Sequence, residues 1–104
     1  MSSQVETEYR HIVKEPSIAG GAAIIRGTRT TVRSIVGYYQ LGMSVEEILE
    51  GLPHLTPGQV FESLSYYHDN VAEISHQIAE NQKDYLLKRY NLKVGANGRL
   101  ESAE

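Results

Sequence analysis

Cysteine is absent from the 104 residues of this chain. Its absence excludes disulfide bonds, zinc–thiolate sites and cysteine nucleophiles. The first ten residues lack the apolar core of a signal peptide, and no apolar run approaches the length of a membrane span. We therefore expect a cytoplasmic protein without a membrane role. It should form one domain, with a core modest enough for oligomerisation to add stability.

Positive charge is missing from the middle of the chain. From Tyr9 to Arg33, five basic residues stand against one acidic residue, a balance of about +4. Residues 34–82 contain seven acidic residues and no lysine or arginine, and basic residues return after residue 82. The net charge of −3 argues mildly against a dedicated nucleic-acid binder. Any contact with DNA is expected to come from the basic N-terminal part.

Glycine and proline divide the N-terminal part into short extended segments. Residues 1–8 are polar and are predicted to be flexible. Strand-like segments are predicted at residues 9–13, 22–25 and 29–31. The second of them is apolar and uncharged, and it consists of Ala22, Ala23, Ile24 and Ile25. Because so short a domain offers it few partners, we expect this strand to pair with a second copy as the interface of a homodimer.

Three capped stretches with the apolar spacing of a helical face follow the arm. Helix caps are predicted at Thr31, Ser44 and Thr56, and Gly42 should end the first helix in a left-handed conformation. The third helix is expected to turn Val60, Phe61, Leu64 and Tyr67 inward. The predicted core comprises Val32, Ile35, Val36, Tyr39, Ile48, Leu49, Leu52, Val60, Leu64 and Tyr67.

The predicted elements follow the order of a helix-turn-helix domain, which is an extended arm, a helix, a tight turn and two further helices. Beyond the third helix, Asp69 and Asn70 either start a fourth helix or lie within one bent helix. The predicted fold is mainly α, with a short N-terminal β-arm, a trihelical helix-turn-helix-like core and a following helix. The domain is expected to span residues 9–81, and residues 82–104 form a basic C-terminal tail.

Two groups of residues are candidates for DNA contacts. On the third helix, Gln59 could bind adenine, while Ser63 and Tyr66 could reach phosphates. Glu62 should face the same way without a supporting cation, which favours a structural role or a protein interface for this helix. The better candidates are the arginines of the arm, Arg26, Arg29 and Arg33. Guanidinium groups form paired hydrogen bonds with phosphate and with guanine. Pairing of Arg26 and Arg29 with acidic helix residues such as Glu46 or Glu50 across a dimer is an equally good interpretation.

Spacings typical of metal sites or of catalysis are missing. His68 and His76 are two helical turns apart, which is too far to chelate one ion. The glycines of the arm are not followed by the lysine of a phosphate-binding loop, and no catalytic triad stands out. We therefore expect no metal, no cofactor and no enzymatic activity.

The segment GGAAIIRGTRTTV, followed by GYYQLGMSVEEILEGLPHLTPGQVFESLSYYHDN, resembles the bacterial domain of unknown function family 433. The motif residues that match are Ile25, Arg26, Gly27, Thr28, Arg29, Val32, Leu41, Gly42, Ser44, Glu46, Glu47, Ile48, Leu49, Leu55, Thr56, Tyr66 and Tyr67. The departures, at residues 22–23 and 30–31, lie in the arm and leave the helices unaffected.

The resemblance implies a helix-turn-helix-like fold and the role of an antitoxin in a type II toxin–antitoxin pair. Such proteins dimerise, mask a PIN-domain-like toxin and bind their own operator DNA. The basic tail could then neutralise the carboxylates of the toxin through Lys83, Lys88 and Arg89, unless it is only a solvated helix end. The alternative function is a protein–protein interaction module with a degenerate helix-turn-helix and no DNA-binding role.

Overall fold

The protein has a small N-terminal sheet followed by four helices and a second, two-stranded sheet. The computed structural model describes residues 4–89, 92–94 and 100–102. Its elements are β1 (Val5–Glu6), β2 (Ile12–Lys14), β3 (Ala23–Ile25), α1 (Val32–Gln40), α2 (Val45–Gly51), α3 (Pro57–Asp69), α4 (Val71–Arg89), β4 (Leu92–Val94) and β5 (Leu100–Ser102). The predicted mainly α fold with a β-arm is confirmed. No helix in the described ranges combines the length and apolarity needed to cross a membrane.

Local hydrogen bonds start the first three helices at the predicted residues. The Thr31 hydroxyl accepts the Ser34 N–H group at the start of α1. Reciprocal capping boxes start α2 and α3, formed by Ser44 with Glu47 and by Thr56 with Gln59. Gly42 has a φ of 94° just beyond α1, where a side chain would be strained. These contacts explain why the turns between the helices are short.

Asn70 separates α3 from α4, so the chain forms two helices and not one bent helix. Its backbone has a φ of −139° and a ψ of 45°, outside the helical region. Its side-chain amide donates to the Tyr66 carbonyl at 3.0 Å, which satisfies one free acceptor of α3. Helix α4 then continues to Arg89 and crosses the boundary predicted at residue 82.

The N-terminal sheet is antiparallel with the order β1–β2–β3. Val13 lies between Glu6 of β1 and Ile24 of β3. Strand β1 falls within residues 1–8, where no strand was predicted, because two residues among polar neighbours show no periodicity. In the predicted tail, β4 and β5 form an antiparallel pair in which Lys93 lies opposite Glu101.

The core lies where the sheet meets α1, α3 and α4. Most of the predicted core residues are buried there, and Leu49, Leu52 and Tyr67 pack against the core while partly exposed. The predictions for Tyr39 and Phe61 are wrong, because their side chains are 45% and 57% exposed. Helix α3 packs against α1 and α2 on one side and against β2 on another. Because α3 also contacts β2, its buried side includes Tyr66 and excludes Phe61.

Strand β3 already has partners on both sides within one chain. It pairs with β2, Ile24 forms a bridge with Thr31, and the Ile25 N–H group donates to the Thr30 carbonyl at 2.9 Å. All four residues of the predicted dimer interface are consequently buried, namely Ala22, Ala23, Ile24 and Ile25. The expectation that this strand lacks partners is wrong, because the predicted third extended segment closes its edge. Homodimerisation stays a prediction, and it would need another surface.

Truncation of two neighbouring α3 side chains tests this orientation of the helix. Leu64→Ala removes a buried side chain and should lower the free energy of unfolding by about 2–5 kcal/mol. Phe61→Ala removes an exposed side chain of the same helix and should change it by less than about 1 kcal/mol. Urea denaturation measures both changes. Equal losses would contradict the described face of α3.

Candidate functional site

The side of α3 predicted to contact DNA lies largely inside the protein. Ser63 is fully buried, and its hydroxyl donates to the Gln59 carbonyl at 2.9 Å. Tyr66 is only 4% exposed. The prediction that these two side chains face solvent is wrong, because Tyr9 of the arm packs on Tyr66 and because Ser63 shares the buried face of Val60 and Leu64. The side-chain oxygen of Gln59 accepts the Thr56 N–H group and so forms part of a helix cap.

Contacts between the arm and the helices surround Tyr66. The ring of Tyr9 meets it edge to face, with the ring centroids 5.3 Å apart. The Tyr66 hydroxyl donates to both oxygens of Glu73, at 2.9 and 3.1 Å. Lys14 of β2 lies 3.2 Å from the same carboxylate. Burial, together with the Glu73 carboxylate, raises the pKa of the Tyr66 hydroxyl above its ordinary value.

Two further contacts attach the arm to α3. The His11 N–H group donates to Glu62 at 2.7 Å, and the Tyr9 hydroxyl donates to Asp69. Glu62 was expected to face solvent beside the DNA-binding candidates, yet it accepts a hydrogen bond from the arm. The side of α3 that carries Glu62, Tyr66 and Asp69 therefore contacts the protein's own N-terminal segment.

The three arm arginines differ in their partners. Arg26 donates to both carboxylate oxygens of Glu6 and, through Nε, to the Arg10 carbonyl at 3.0 Å. This pair lowers the pKa of Glu6 and raises that of Arg26. Arg29 and Arg33 form no hydrogen bond or ion pair within the described ranges. Two of the three predicted positive charges are therefore available to a ligand.

Arg29 and Arg33 line the same cavity, of about 380 Å³, in front of α1. Its other lining residues are Ile18, Ala19, Thr30, Thr31, Ser34, Tyr38 and Leu52. None of these described residues is acidic. Arg29 is exposed and Arg33 is half-buried, so both remain accessible to solvent. The cavity is a positively charged site in a protein whose net charge is negative.

A second accessible feature is the C-terminal half of α4. The buried residue of this helix is Ile74, near its start. Tyr85 and Leu86 are 59% and 45% exposed although they are apolar. The predicted toxin-binding residues lie in the same exposed segment; they are Lys83, Lys88 and Arg89. Residues 79–89 thus combine exposed apolar side chains with three basic and two acidic ones, the acidic ones being Glu80 and Asp84.

Metal binding finds no support in the geometry that is visible. Across residues 4–89, no three histidine, aspartate or glutamate side chains are grouped closely enough to hold an ion.

Comparison with known proteins identifies the family. A model described as "Protein of unknown function (DUF433)" matches residues 12–67, which is more than half of the chain. The chain belongs to the DUF433 family. The matched span runs from β2 into α3, so it contains Arg29 and Arg33 but not α4. No curated protein matches the chain.

A solved structure of another DUF433 member, from Anabaena variabilis ATCC 29413, is similar to this chain. The two are 36% identical and superpose with a TM-score of 0.64. The similarity covers 66% of this chain and 68% of the other. The DUF433 fold seen here is therefore shared with a protein whose crystal structure is known.

The environment of Tyr66 predicts that its hydroxyl loses its proton at a higher pH than an ordinary tyrosine does. As the pH rises above the ordinary tyrosine value of 10.0, the unfolded chain loses the Tyr66 proton while the folded protein keeps it. Stability should therefore fall in this range, because a raised folded-state pKa favours the unfolded state there. Tyrosinate absorbance should show a late phase that Tyr66→Phe removes and that Tyr85→Phe, at an exposed site, leaves in place. Loss of the late phase in both variants would contradict the assignment.

Proposed function

We propose that this DUF433 protein is an antitoxin-like regulatory binding protein of a type II toxin–antitoxin pair. The observation that carries the proposal is the exposed C-terminal half of α4, residues 79–89. In this role the segment binds a PIN-domain-like toxin, and Arg29 and Arg33 contact operator DNA. The two surfaces come from different parts of the chain, so one ligand need not displace the other.

The side chains of residues 79–89 suit a protein partner better than solvent. Isolated helices of this length are marginal in water, so a long exposed helix gains stability when another surface covers it. Tyr85 and Leu86 offer apolar area, and tyrosine is common in the centre of interfaces. Lys83 and Lys88 add positive charge. A helix of this type fits a groove with an apolar floor and an acidic rim, as the clustered carboxylates of a PIN-type nuclease would provide.

The basic cavity supports operator DNA as a second ligand. Arg29 and Arg33 have no protein partner within the described ranges, and phosphate contacts by arginine drive most DNA affinity. The contacts of α3 instead favour the alternative, an interaction module without a DNA role. Its outer side binds the arm through Glu62 and Tyr66, and Arg26 is already paired with Glu6. DNA binding in this protein therefore depends on Arg29 and Arg33.

Charge reversal on α4 tests the toxin interaction. Lys83→Glu combined with Lys88→Glu should weaken binding to the nuclease-like protein encoded beside this gene by about tenfold or more, because close charge pairs across an interface contribute strongly. Isothermal titration calorimetry measures the affinity, and relief of nuclease inhibition provides a second readout. Arg10→Glu reverses an exposed charge on the arm and serves as the control, with unchanged binding expected.

Two outcomes would contradict the antitoxin proposal. One is the absence of any complex between the wild-type chain and the neighbouring gene product. The other is equal weakening by the α4 variant and the Arg10 control, which would indicate a non-specific charge effect. Removal of apolar area by Tyr85→Ala and Leu86→Ala should reduce affinity independently of salt, which separates apolar contact from charge.

Salt titration separates the operator-binding protein from the interaction module. With DNA from upstream of its own gene, Arg29→Gln should reduce the slope of log affinity against log salt by about one for each protomer bound. Arg26→Gln should leave the slope nearly unchanged, because Glu6 already occupies that guanidinium group. Fluorescence anisotropy across salt concentrations provides the measurement. Absence of binding at low salt would favour the interaction module, and equal slopes for both variants would exclude the assigned role of Arg29.

A further inference from the structure

We infer that the cavity lined by Arg29 and Arg33 is a binding site for a single phosphate group, carried either by a nucleotide or by the DNA backbone. If the phosphate group belongs to DNA, the inference rests on the proposed operator binding. If the phosphate group belongs to a nucleotide, the inference does not depend on operator binding. The cavity lies between the turn at Ala19–Gly21 and the beginning of α1. Its walls supply the charge, the donors and the shape that such a group needs.

Charge is the first argument. Arg29 and Arg33 line one cavity, and neither guanidinium group has a protein partner within the described ranges. Arginine presents a planar set of donors that matches the oxygens of phosphate, and such pairs are among the strong hydrogen bonds of proteins. No acidic residue appears among the described residues that line the cavity. An anion in this cavity would therefore be lined, among the described residues, by two positive side chains and by no negative one.

Hydrogen-bond donors and apolar walls are the second argument. Tyr38 lines the cavity, and its hydroxyl forms no hydrogen bond within the described ranges, so this group is free to donate to a phosphate oxygen. Thr30 contributes a hydroxyl that lies 3.1 Å from Nε2 of His54. Ile18 and Leu52 provide apolar surface beside these groups. A volume of about 380 Å³ lies at the lower end of the range for ligand sites, which leaves room for the organic part of a phosphate ester.

Backbone strain at the cavity wall is the third argument. Ala19 has a φ of 51°, a left-handed conformation that is uncommon for a residue with a side chain. Gly20 and Gly21 continue the turn with φ values of 65° and 85°. Strained residues persist where the surrounding structure holds them, and they cluster at ligand sites. The strained residue lines the same cavity as the two free arginines.

Arg33 has an alternative environment within the protein. It also lines an adjoining cavity of about 410 Å³, which contains Glu80 and Asp84 of α4. No ion pair between Arg33 and either carboxylate is formed within the described ranges. These carboxylates nevertheless attract Arg33 away from a ligand. Neutralising Asp84 should consequently strengthen phosphate binding. This gain should require Arg33, whereas a non-specific effect of the removed charge would occur with or without Arg33.

The experiment is a titration of the full-length protein followed by ¹H–¹⁵N correlation spectra. Inorganic phosphate, adenosine 5′-monophosphate and the upstream duplex are the probes, and sodium chloride at equal ionic strength is the control. Phosphate should shift the amide signals of Thr30, Thr31 and Ser34 and saturate in the millimolar range or below. Arg29→Gln and Arg33→Gln should each weaken binding by about tenfold or more. Arg26→Gln is the matched control, and it should bind as the wild type does.

Further variants and probes make the result decisive. Tyr38→Phe should weaken phosphate binding severalfold, and Asp84→Asn should strengthen it only when Arg33 is present. Tighter binding of the nucleotide than of phosphate identifies a nucleotide as the source. If phosphate displaces the duplex and the nucleotide binds no more tightly than phosphate, the DNA backbone is the source of the phosphate group. Signal shifts that match those with chloride, or equal weakening by Arg26→Gln and Arg29→Gln, would overturn the inference. Either result leaves the α4 interaction with a toxin unaffected.

Discussion

The docking of the N-terminal arm on α3 and α4 determines which surfaces of this protein are available. Its centre is Tyr66, which contacts Tyr9 of the arm and donates to Glu73 of α4, while Lys14 of β2 pairs with the same carboxylate. A hydrogen bond to a charged group contributes about 1.5–3 kcal/mol, and an aromatic pair adds about 0.5–1.5 kcal/mol. These contacts cover one side of α3. Arg29, Arg33 and the second half of α4 consequently remain accessible, whereas Ser63 and Tyr66 of α3 do not.

This arrangement gives the molecule two accessible regions of positive charge with an acidic region between them in sequence. Arg29 lies just before α1, Arg33 lies in its first turn, and Lys83 and Lys88 lie in the second half of α4. The intervening residues 34–82 carry seven acidic side chains and no lysine or arginine. At a net charge of −3 the whole surface does not attract anions over long distances, so the positive charge of these two regions acts only locally.

Local signals could be predicted from the sequence, and contacts between distant segments could not. The caps at Ser44 and Thr56 depend on residues three positions away, so the starts of α2 and α3 follow from their neighbours. The inward side of α3 depends on the arm, more than fifty residues earlier, and the apolar spacing alone favoured Phe61 over Tyr66. The partner of Arg26 was missed for the same reason, because β1 has two residues and no recognisable periodicity. Of the candidate site, the sequence identified the arginines but not the cavity that unites two of them.

The pairing of Glu6 with Arg26 means that the protein carries its own substitute for a phosphate. A carboxylate bound through both oxygens presents to a guanidinium group nearly the geometry that a phosphate would present. The short strand β1 holds this internal anion in place through its pairing with Lys14 and Val13. A chain shortened to begin after Glu6, or a fusion that displaces β1, would expose a third arginine on the arm. Loss of β1 would thus add one unpaired cation to the arm, because Glu6 is the carboxylate that pairs with Arg26.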